Sequence, residues 1–243
     1  MSPIDEQGCV WELSHQSGQW TLLEPANPDS PFPPPRSYHA LTSDKRHTLY
    51  LHAGCQEKGR LSDLWAFQLS TRRWIKLADA PDPPRGGTSI VFCAENERLY
   101  RMNGFDGMAE QGGSLDVYNP ETDCWSSIAF TADGKDGPEP RSVASLLCMG
   151  VGNEAWLVTM FGERDPSSLG HAGAGKMLDD VWAWNINSEA WTKVEVIGPN
   201  KPQSRGWLAA DLLSDDMLIV QGGLNEANER LGDLWIGRLR AKE

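Results

Sequence analysis

An arginine recurs along this chain, each time directly before a short apolar run. The four positions are Arg36, Arg85, Arg141 and Arg205. A guanidinium is a planar fork that donates two parallel hydrogen bonds, so it suits a sulfate or a carboxylate. Gathered at one place, such side chains could hold an anion while it reacts. The structural alternative is that each recurring arginine pairs with the aspartate of a neighbouring blade or caps the ends of strands.

Each arginine opens a longer repeated pattern. A β-rich run that ends in glycine follows, then an aspartate two positions before an aromatic residue, then a lone tryptophan. The glycines are Gly54, Gly104, Gly162 and Gly222, and the aspartates are Asp63, Asp116, Asp180 and Asp233. A repeat of roughly 50 residues with four strand-like runs is typical of a β-propeller blade.

The pattern predicts an all-β fold, a propeller of about four four-stranded blades that forms a single domain over residues 1–243. The expected blade units are about 36–78, 85–129, 141–195 and 205–239, with 9–23 as an N-terminal addition. The last unit lacks an outer strand, and residues 18–23 have the form of one. We expect 18–23 to pair with 233–239 and to close the ring, which would hide two sheet edges. Because residues 10–13 compete for the same place, five blades or an incomplete ring are alternatives.

Composition limits the classes of partner. The formal net charge of −12 argues against a nucleic acid, whose binding depends on lysine and arginine. The N-terminus has neither the basic nor the apolar region of a secretory signal, and no apolar run is long enough to span a membrane. Five scattered cysteines without a CxxC pair fit reduced thiols. We therefore expect a cytoplasmic protein with neither a nucleic-acid nor a membrane partner.

The glycine, Asp-aromatic and tryptophan repeat resembles the kelch motif over roughly the whole chain. Kelch propellers serve as partner-binding modules and as enzymes, so the fold alone does not decide the activity. The third and fourth units are also similar to the glucosinolate specifier proteins of plants, namely the nitrile-specifier, epithiospecifier and thiocyanate-forming proteins. The residues that carry this resemblance are the segment 161–175, the Asp180-Val-Trp182 pattern and Arg205-Gly-Trp207.

The resemblance to specifier proteins implies a ferrous ion. In that family a Glu-x3-Asp-x3-His segment is implicated in binding Fe(II), which helps convert the unstable product of myrosinase into nitriles, epithionitriles or thiocyanates. Glu163 and His171 match its spacing of eight positions, whereas Asp165 lies two positions after Glu163 and Ser167 occupies the expected aspartate position. The implied ligands are Glu163 and His171, with Asp165 as a third ligand or a supporting group. The chain also departs in size, because the plant proteins resemble six-bladed rings.

The order of strands in a blade predicts where these groups meet. The loop around Glu163 joins the second and third strands, so it opens on the same face as the arginines. We expect Arg85, Arg141 and Arg205 to hold the anion there. His39 follows Arg36 on an innermost strand and could face the channel, although a hydrogen-bonded core histidine is the simpler interpretation.

Two classes of function follow. The first is a specifier-like lyase or isomerase with an Fe(II) site that acts on an anionic, thiohydroximate-O-sulfate-like small molecule. A variant of it is a propeller recruited to another small molecule of secondary metabolism. The second class is a non-catalytic interaction scaffold that docks a protein partner on the loop face. The chain shows no nucleophile elbow, P-loop or dinucleotide fingerprint.

Overall fold

The protein is all-β. A computed structural model describes residues 3–170 and 173–241, and these form strands and turns without a helix. Consequently, no helix within these ranges is long and apolar enough to cross a membrane. The predicted fold class, an all-β propeller of four blades, is confirmed.

The strands fall into an N-terminal hairpin and four blades. The hairpin consists of β1 (Val10–Leu13) and β2 (Trp20–Leu23). Blade 1 consists of β3 (Ala40–Ser43), β4 (Thr48–Cys55), β5 (Arg60–Gln68) and β6 (Arg73–Leu77). Blade 2 consists of β7 (Ser89–Cys93), β8 (Arg98–Met102), β9 (Ser114–Asn119) and β10 (Cys124–Ala129). Blade 3 consists of β11 (Ser145–Val151), β12 (Glu154–Met160), β15 (Val181–Asn185) and β16 (Ala190–Val194), and its long loop carries β13 (Glu163–Arg164) and β14 (Lys176–Met177). Blade 4 consists of β17 (Ala209–Ser214), β18 (Met217–Leu224) and β19 (Arg230–Arg238).

Within each blade, neighbouring strands are antiparallel and follow chain order from the channel outward. The first strands, β3, β7, β11 and β17, contact one another in sequence and line the channel. The core lies between the blades, because each sheet buries an apolar face against the next. Between blades 2 and 3, for example, Tyr100, Met102 and Leu115 pack with Leu157 and Trp184.

Hydrogen bonds between the blades fix this arrangement. The N–H of the strand-ending glycine in one blade donates to the carbonyl of the lead-in arginine of the next. The distances are 3.0 Å from Gly54 to Arg85, 2.8 Å from Gly104 to Arg141 and 2.8 Å from Gly162 to Arg205. Glycine is required because φ at Gly54 is 105° and a Cβ there would lie 2.7 Å from a backbone oxygen. In blade 4 the equivalent residue is Gly223, with φ of 115°, one position after the Gly222 named from the sequence.

The predicted closure of the ring by N- and C-terminal strands is wrong. β2 pairs with β1, and the outer edge of β19 has no strand partner among the described residues. The short turn after β1 lets a local hairpin form at a low cost in loop-closure entropy. That hairpin packs on blade 1, where Trp74 Nε1 donates to the carbonyl oxygen of Gly8 at 2.7 Å. Blade 4 is therefore three-stranded, as in the incomplete-ring alternative.

Candidate functional site

A cavity of about 700 Å³ occupies the end of the channel where the first strands begin. Residues of all four blades line it, including the loops that follow Gly104 and Gly162. We call it the loop-face cavity. It lies on the face where sequence analysis expected a site.

The floor of the loop-face cavity is a belt of backbone built from one position of each repeat. Each of Tyr38, Gly87, Val143 and Trp207 lies two residues after a lead-in arginine and has φ between 47° and 60°. The N–H of Gly87, Val143 and Trp207 donates to the carbonyl of the preceding member at 3.0, 2.8 and 3.0 Å. Left-handed backbone at non-glycine residues costs roughly 1–2 kcal/mol each, so the surrounding structure must hold it.

Sequence reasoning missed this belt. Its four residues have no chemical property in common, and the only signal in the sequence is that each lies two positions after a lead-in arginine. Two of its members also meet through their side chains, because the rings of Tyr38 and Trp207 pack edge to face with centroids 5.5 Å apart. Blades 1 and 4 thus approach each other at the floor of the cavity.

The lead-in arginines lie beneath the belt, in three cases paired with the aspartate of their own blade. Arg141 is fully buried, and its two Nη atoms donate to the Oδ atoms of Asp180 at 2.5 and 3.0 Å. Arg205 contacts Asp233 in the same way at 2.7 and 2.9 Å, and Arg36 contacts Asp63 at 2.6 and 2.7 Å. Each of the three arginines also donates to the carbonyl of the residue before the strand-ending glycine.

These contacts occupy the guanidinium donors that an anion would need. Burial raises the pKa of Asp180, but the hydrogen bonds and charge of Arg141 outweigh burial and lower it overall. In these three blades the arginine thus pairs with an aspartate, as in the structural alternative, but the aspartate belongs to the arginine's own blade and not to a neighbouring one. A role of Arg141 and Arg205 as anion holders stays a prediction without support from these contacts.

Arg85 is the exception in blade 2. It donates to the carbonyls of Pro83 and Asn103 at 3.1 and 3.2 Å, and no described carboxylate forms an ion pair with it. Asp116 accepts instead from Arg101 Nη2 at 2.6 Å. Burial and the neighbouring charge of Arg101 lower the pKa of Arg85 to about 10. Because Arg85 is buried and does not line the cavity, a bound anion in the cavity would not reach it.

His39 also lies away from the cavity lining. It precedes β3, and its side chain is exposed rather than packed in the core. Desolvation by the surrounding protein, followed by the charge of Arg36, lowers its pKa. The structure therefore does not gather His39 with the arginines at one reacting centre.

Of the two implied iron ligands that the structure describes, Glu163 and Asp165, only Glu163 lies in the cavity wall. It is buried, and its carboxylate accepts from Gly175 N at 2.6 Å and from Trp207 Nε1 at 2.8 Å. Asp165 is exposed and lies 3.6 Å from Arg164 Nε, and His171 lies outside the described residues. Among the described residues, no group of three metal-ligating side chains is found around Glu163, whereas a ferrous ion needs several ligands.

Among the described residues, two cations, Arg60 and Arg230, line the cavity. The guanidinium of Arg60 lies 5.0 Å from the centroid of the Phe105 ring, and its buried Nε has no hydrogen-bond partner. Arg230 lines the same cavity and is exposed. Neither forms an ion pair with a carboxylate of the described residues. Glu110 lies there too, and burial, followed by the charges of Glu163 and Asp165, raises its pKa.

Comparison with known proteins identifies the family. Residues 4–223 match the model described as the KLHDC2/KLHL20/DRC7 Kelch-repeats domain. The chain belongs to this kelch-repeat family.

Curated relatives are distant in sequence. Kelch domain-containing protein 1 of Homo sapiens is 24% identical over 262 residues, which cover 96% of this chain and 59% of that protein. Kelch domain-containing protein 10 of Xenopus laevis is 26% identical over 196 residues, covering 77% of this chain and 43% of that protein. Multiple epidermal growth factor-like domains protein 8 of Mus musculus is 25% identical over 240 residues, 95% of this chain but 8% of that protein. The chain thus spans less than two thirds of the length of these relatives.

Proposed function

We propose that this kelch propeller is a protein-interaction module that binds a segment of a partner protein in the loop-face cavity. Membership of a kelch-repeat family supports an interaction role at the level of the fold. The observation that carries the proposal is Arg60, a cation in the cavity wall that forms no ion pair with a carboxylate of the described residues.

The cavity suits an extended peptide segment. A volume of about 700 Å³ is within the range of sites that enclose a ligand of several side chains. Met108 stands at the rim with 91% of its surface exposed, and methionine adapts to varied apolar partners. Trp207 and Phe105 supply aromatic surface within the cavity. The apolar lining would bind one side chain of the segment, and the open rim would let the rest of the segment leave.

The charges select the segment. A carboxylate of the partner would receive hydrogen bonds from Arg60 and, nearer the rim, from Arg230, because both guanidinium groups lack a carboxylate partner among the described residues. Glu110 and Glu163 in the same cavity would repel a second carboxylate placed beside them. The preferred segment therefore carries one acidic residue next to an apolar or aromatic one, rather than a run of acidic residues.

A peptide array tests the proposal. Immobilised segments that carry one acid, several acids, no charge or one base are probed with the purified chain, and the strongest binder is titrated by fluorescence polarisation. Arg60→Met keeps a side chain of similar length beside Phe105 and removes the charge, so we expect the Kd to rise about 10-fold or more, which corresponds to about 1.4 kcal/mol. Lys45→Ala is the matched control, since Lys45 lines a separate cavity at the other end of the first strands. Equal losses in both variants, or no preference among the four classes, would reject the proposal.

The specifier-like lyase or isomerase remains a second hypothesis, supported by the sequence resemblance and by the position of Glu163 in the cavity. No described contact favours an iron site, and an anionic small-molecule substrate is likewise a prediction. Iron analysis of anaerobically prepared protein decides the question. Stoichiometric iron that is lost in Glu163→Gln and in His171→Ala would favour the enzyme, whereas protein without iron after incubation with ferrous salt would reject it.

A further inference from the structure

A pair of cysteines lies across the boundary between blades 2 and 3. Cys93 is the last residue of β7, and Cys148 lies in β11, the first strand of the next blade. Their sulfur atoms are 2.6 Å apart. Glu95 is the third member of the cluster, with Oε2 at 3.0 Å from Cys93 Sγ and 3.6 Å from Cys148 Sγ.

The sulfur separation favours a covalent bond over a shared metal ion. A disulfide needs about 2.0 Å between the sulfurs, so a small shift of either side chain suffices. Two thiolates on one tetrahedral zinc ion, each about 2.3 Å from the metal, lie about 3.7 Å apart, so the sulfurs would have to separate. The pair sits on two adjacent first strands that the propeller already holds together, so little backbone movement is needed.

The two thiols differ in access. Cys93 is fully buried, whereas Cys148 is partly exposed and lines a cavity of about 450 Å³ enclosed by the first strands of the four blades. We call this the far-end cavity, because it lies beyond the loop-face cavity along those strands. A small oxidant could therefore reach Cys148 first, with Cys93 behind it.

We propose that Cys93 and Cys148 form a reversible disulfide that ties blade 2 to blade 3, with a low-molecular-weight disulfide as the oxidant. The thiolate of Cys148 attacks the oxidant, forming a mixed disulfide and releasing one small thiolate, which takes up a proton. Cys93 then gives its proton to Glu95 and attacks Cys148 Sγ. The second small thiolate leaves and takes the proton. Two protein thiols are oxidised to one disulfide, and one small disulfide is reduced to two thiols.

Oxidation would tighten the wall of the channel. The bond would link positions 55 residues apart in sequence, and cross-links of that span restrict the unfolded chain strongly. It would also fix two of the four first strands against each other. The hydrogen bond with Cys93, followed by burial, raises the pKa of Cys148, so the reaction is expected to be slow rather than immediate.

Peptide mapping tests the proposal. The intact, reduced chain is incubated with oxidised glutathione, the remaining thiols are alkylated, and the protein is digested with trypsin without reductant. Cleavage after Arg85, Arg98, Arg141 and Arg164 places Cys93 and Cys148 in the separate peptides 86–98 and 142–164. We expect one cross-linked species of these two peptides, two hydrogens lighter than their sum and abolished by dithiothreitol. The melting temperature should rise by several degrees with the cross-link.

Variants separate the bond from general thiol chemistry. Cys148→Ser should abolish both the cross-linked species and the rise in melting temperature, and Cys124→Ser, which removes an exposed thiol elsewhere, should abolish neither. Glu95→Gln should slow formation of the cross-link several-fold without changing its identity. Because Cys93 is buried and its replacement can unfold the chain, the decision rests on Cys148→Ser.

Two results would overturn the proposal. The first is glutathione that stays on Cys148 with no cross-link to peptide 86–98. The second is a reduced protein that retains stoichiometric zinc through dialysis and loses it in Cys148→Ser, since that cluster would be a metal site.

Discussion

Blades 3 and 2 carry the same repeat but use its arginine differently. In blade 3, Asp180 accepts from Arg141 and also from Trp182 Nε1 at 2.7 Å. In blade 2, a tyrosine replaces that tryptophan, and its hydroxyl donates at 2.7 Å to Asp123 instead. The freed aspartate, Asp116, accepts from Arg101 of the neighbouring strand and from two serines.

The comparison shows that arginine, aspartate and tryptophan act as a unit. The tryptophan N–H and the arginine fork together saturate one carboxylate at a buried site, which lowers the cost of burying the pair. In blade 2, which lacks the tryptophan, Asp116 accepts from Arg101 instead. Among the described residues, Arg85 therefore donates only to backbone carbonyls. In blades 1, 3 and 4 the repeating arginine thus joins the start of the blade to the aspartate of its third strand, and we call this Arg–Asp pair the joint of the blade.

The largest expected effect comes from breaking the joint of blade 3. Asp180→Ala leaves the fully buried Arg141 without its carboxylate, so we expect a loss of about 3–5 kcal/mol in the free energy of unfolding. Urea titration followed by tryptophan fluorescence measures it. The double variant Asp180→Ala/Arg141→Met should recover part of the loss, since the unpaired charge is gone. A loss below about 1 kcal/mol in the single variant would mean that the joint is not structural.

The next largest effect is the pH dependence of stability caused by His52 of blade 1, which lies near Arg101 of blade 2. Burial, followed by the charge of Arg101, lowers the pKa of His52 to about 3. Because this value lies below that of an unfolded histidine, about 6.5, stability is full above pH 6.5 and declines as the pH falls towards 3. His52→Gln should flatten this decline by up to about 1.4 kcal/mol per pH unit. Unfolding titrations between pH 7 and pH 4 check this, and an unchanged slope would contradict the low pKa.

A smaller effect is expected at the joint of blade 4. The Asp233 side chain is 36% exposed, against 11% for Asp180, so water partly replaces its contacts. Asp233→Asn should therefore cost less than Asp180→Asn when both are measured by the same urea titration. Equal losses would show that exposure does not modulate the joint.

The smallest effect is expected for Arg85 in blade 2. Arg85→Met removes a buried cation that has no carboxylate partner, so the change in unfolding free energy should stay within about 1 kcal/mol of zero. Arg141→Met, the matched variant in blade 3, should lower the unfolding free energy several times more, because it leaves the carboxylate of Asp180 without its cation. Reversed magnitudes would remove the distinction between the two blades.

The sequence predicted the blades because each set of strands is marked by an arginine, a glycine, an aspartate and an aromatic residue in the same order. For example, the strand Ser114–Asn119 and the outer strands that begin at Arg73 and Cys124 lie where the repeat predicts them. The predicted ring closure was wrong because β2 pairs with the neighbouring β1 and not with the distant β19. A repeat pattern does not say which of two possible partner strands forms the more stable pair. The belt through Val143 and Trp207 depends on backbone angles that residue types did not reveal.

The sequence predicted where the candidate site lies but not which charged side chains line it. Glu163 does lie at the mouth of the channel, yet the cations there are Arg60 and Arg230, which belong to no motif. The pairing of Cys93 with Cys148 could not be predicted either, because it depends on the packing of two blades. Spacing along the chain says which residues share a repeat position, and only packing says which side chains keep free donors.

The central claim is that the partner segment binds at the loop-face cavity, and site-directed photo-cross-linking tests it most directly. A benzophenone amino acid replaces Met108 at this cavity or, in a separate variant, Lys45 at the far-end cavity, and each is irradiated with the best binding peptide from the array. Binding in the loop-face cavity predicts a cross-linked peptide at position 108 and none at position 45. A cross-link at 45 alone, or at neither position under saturating peptide, would contradict it.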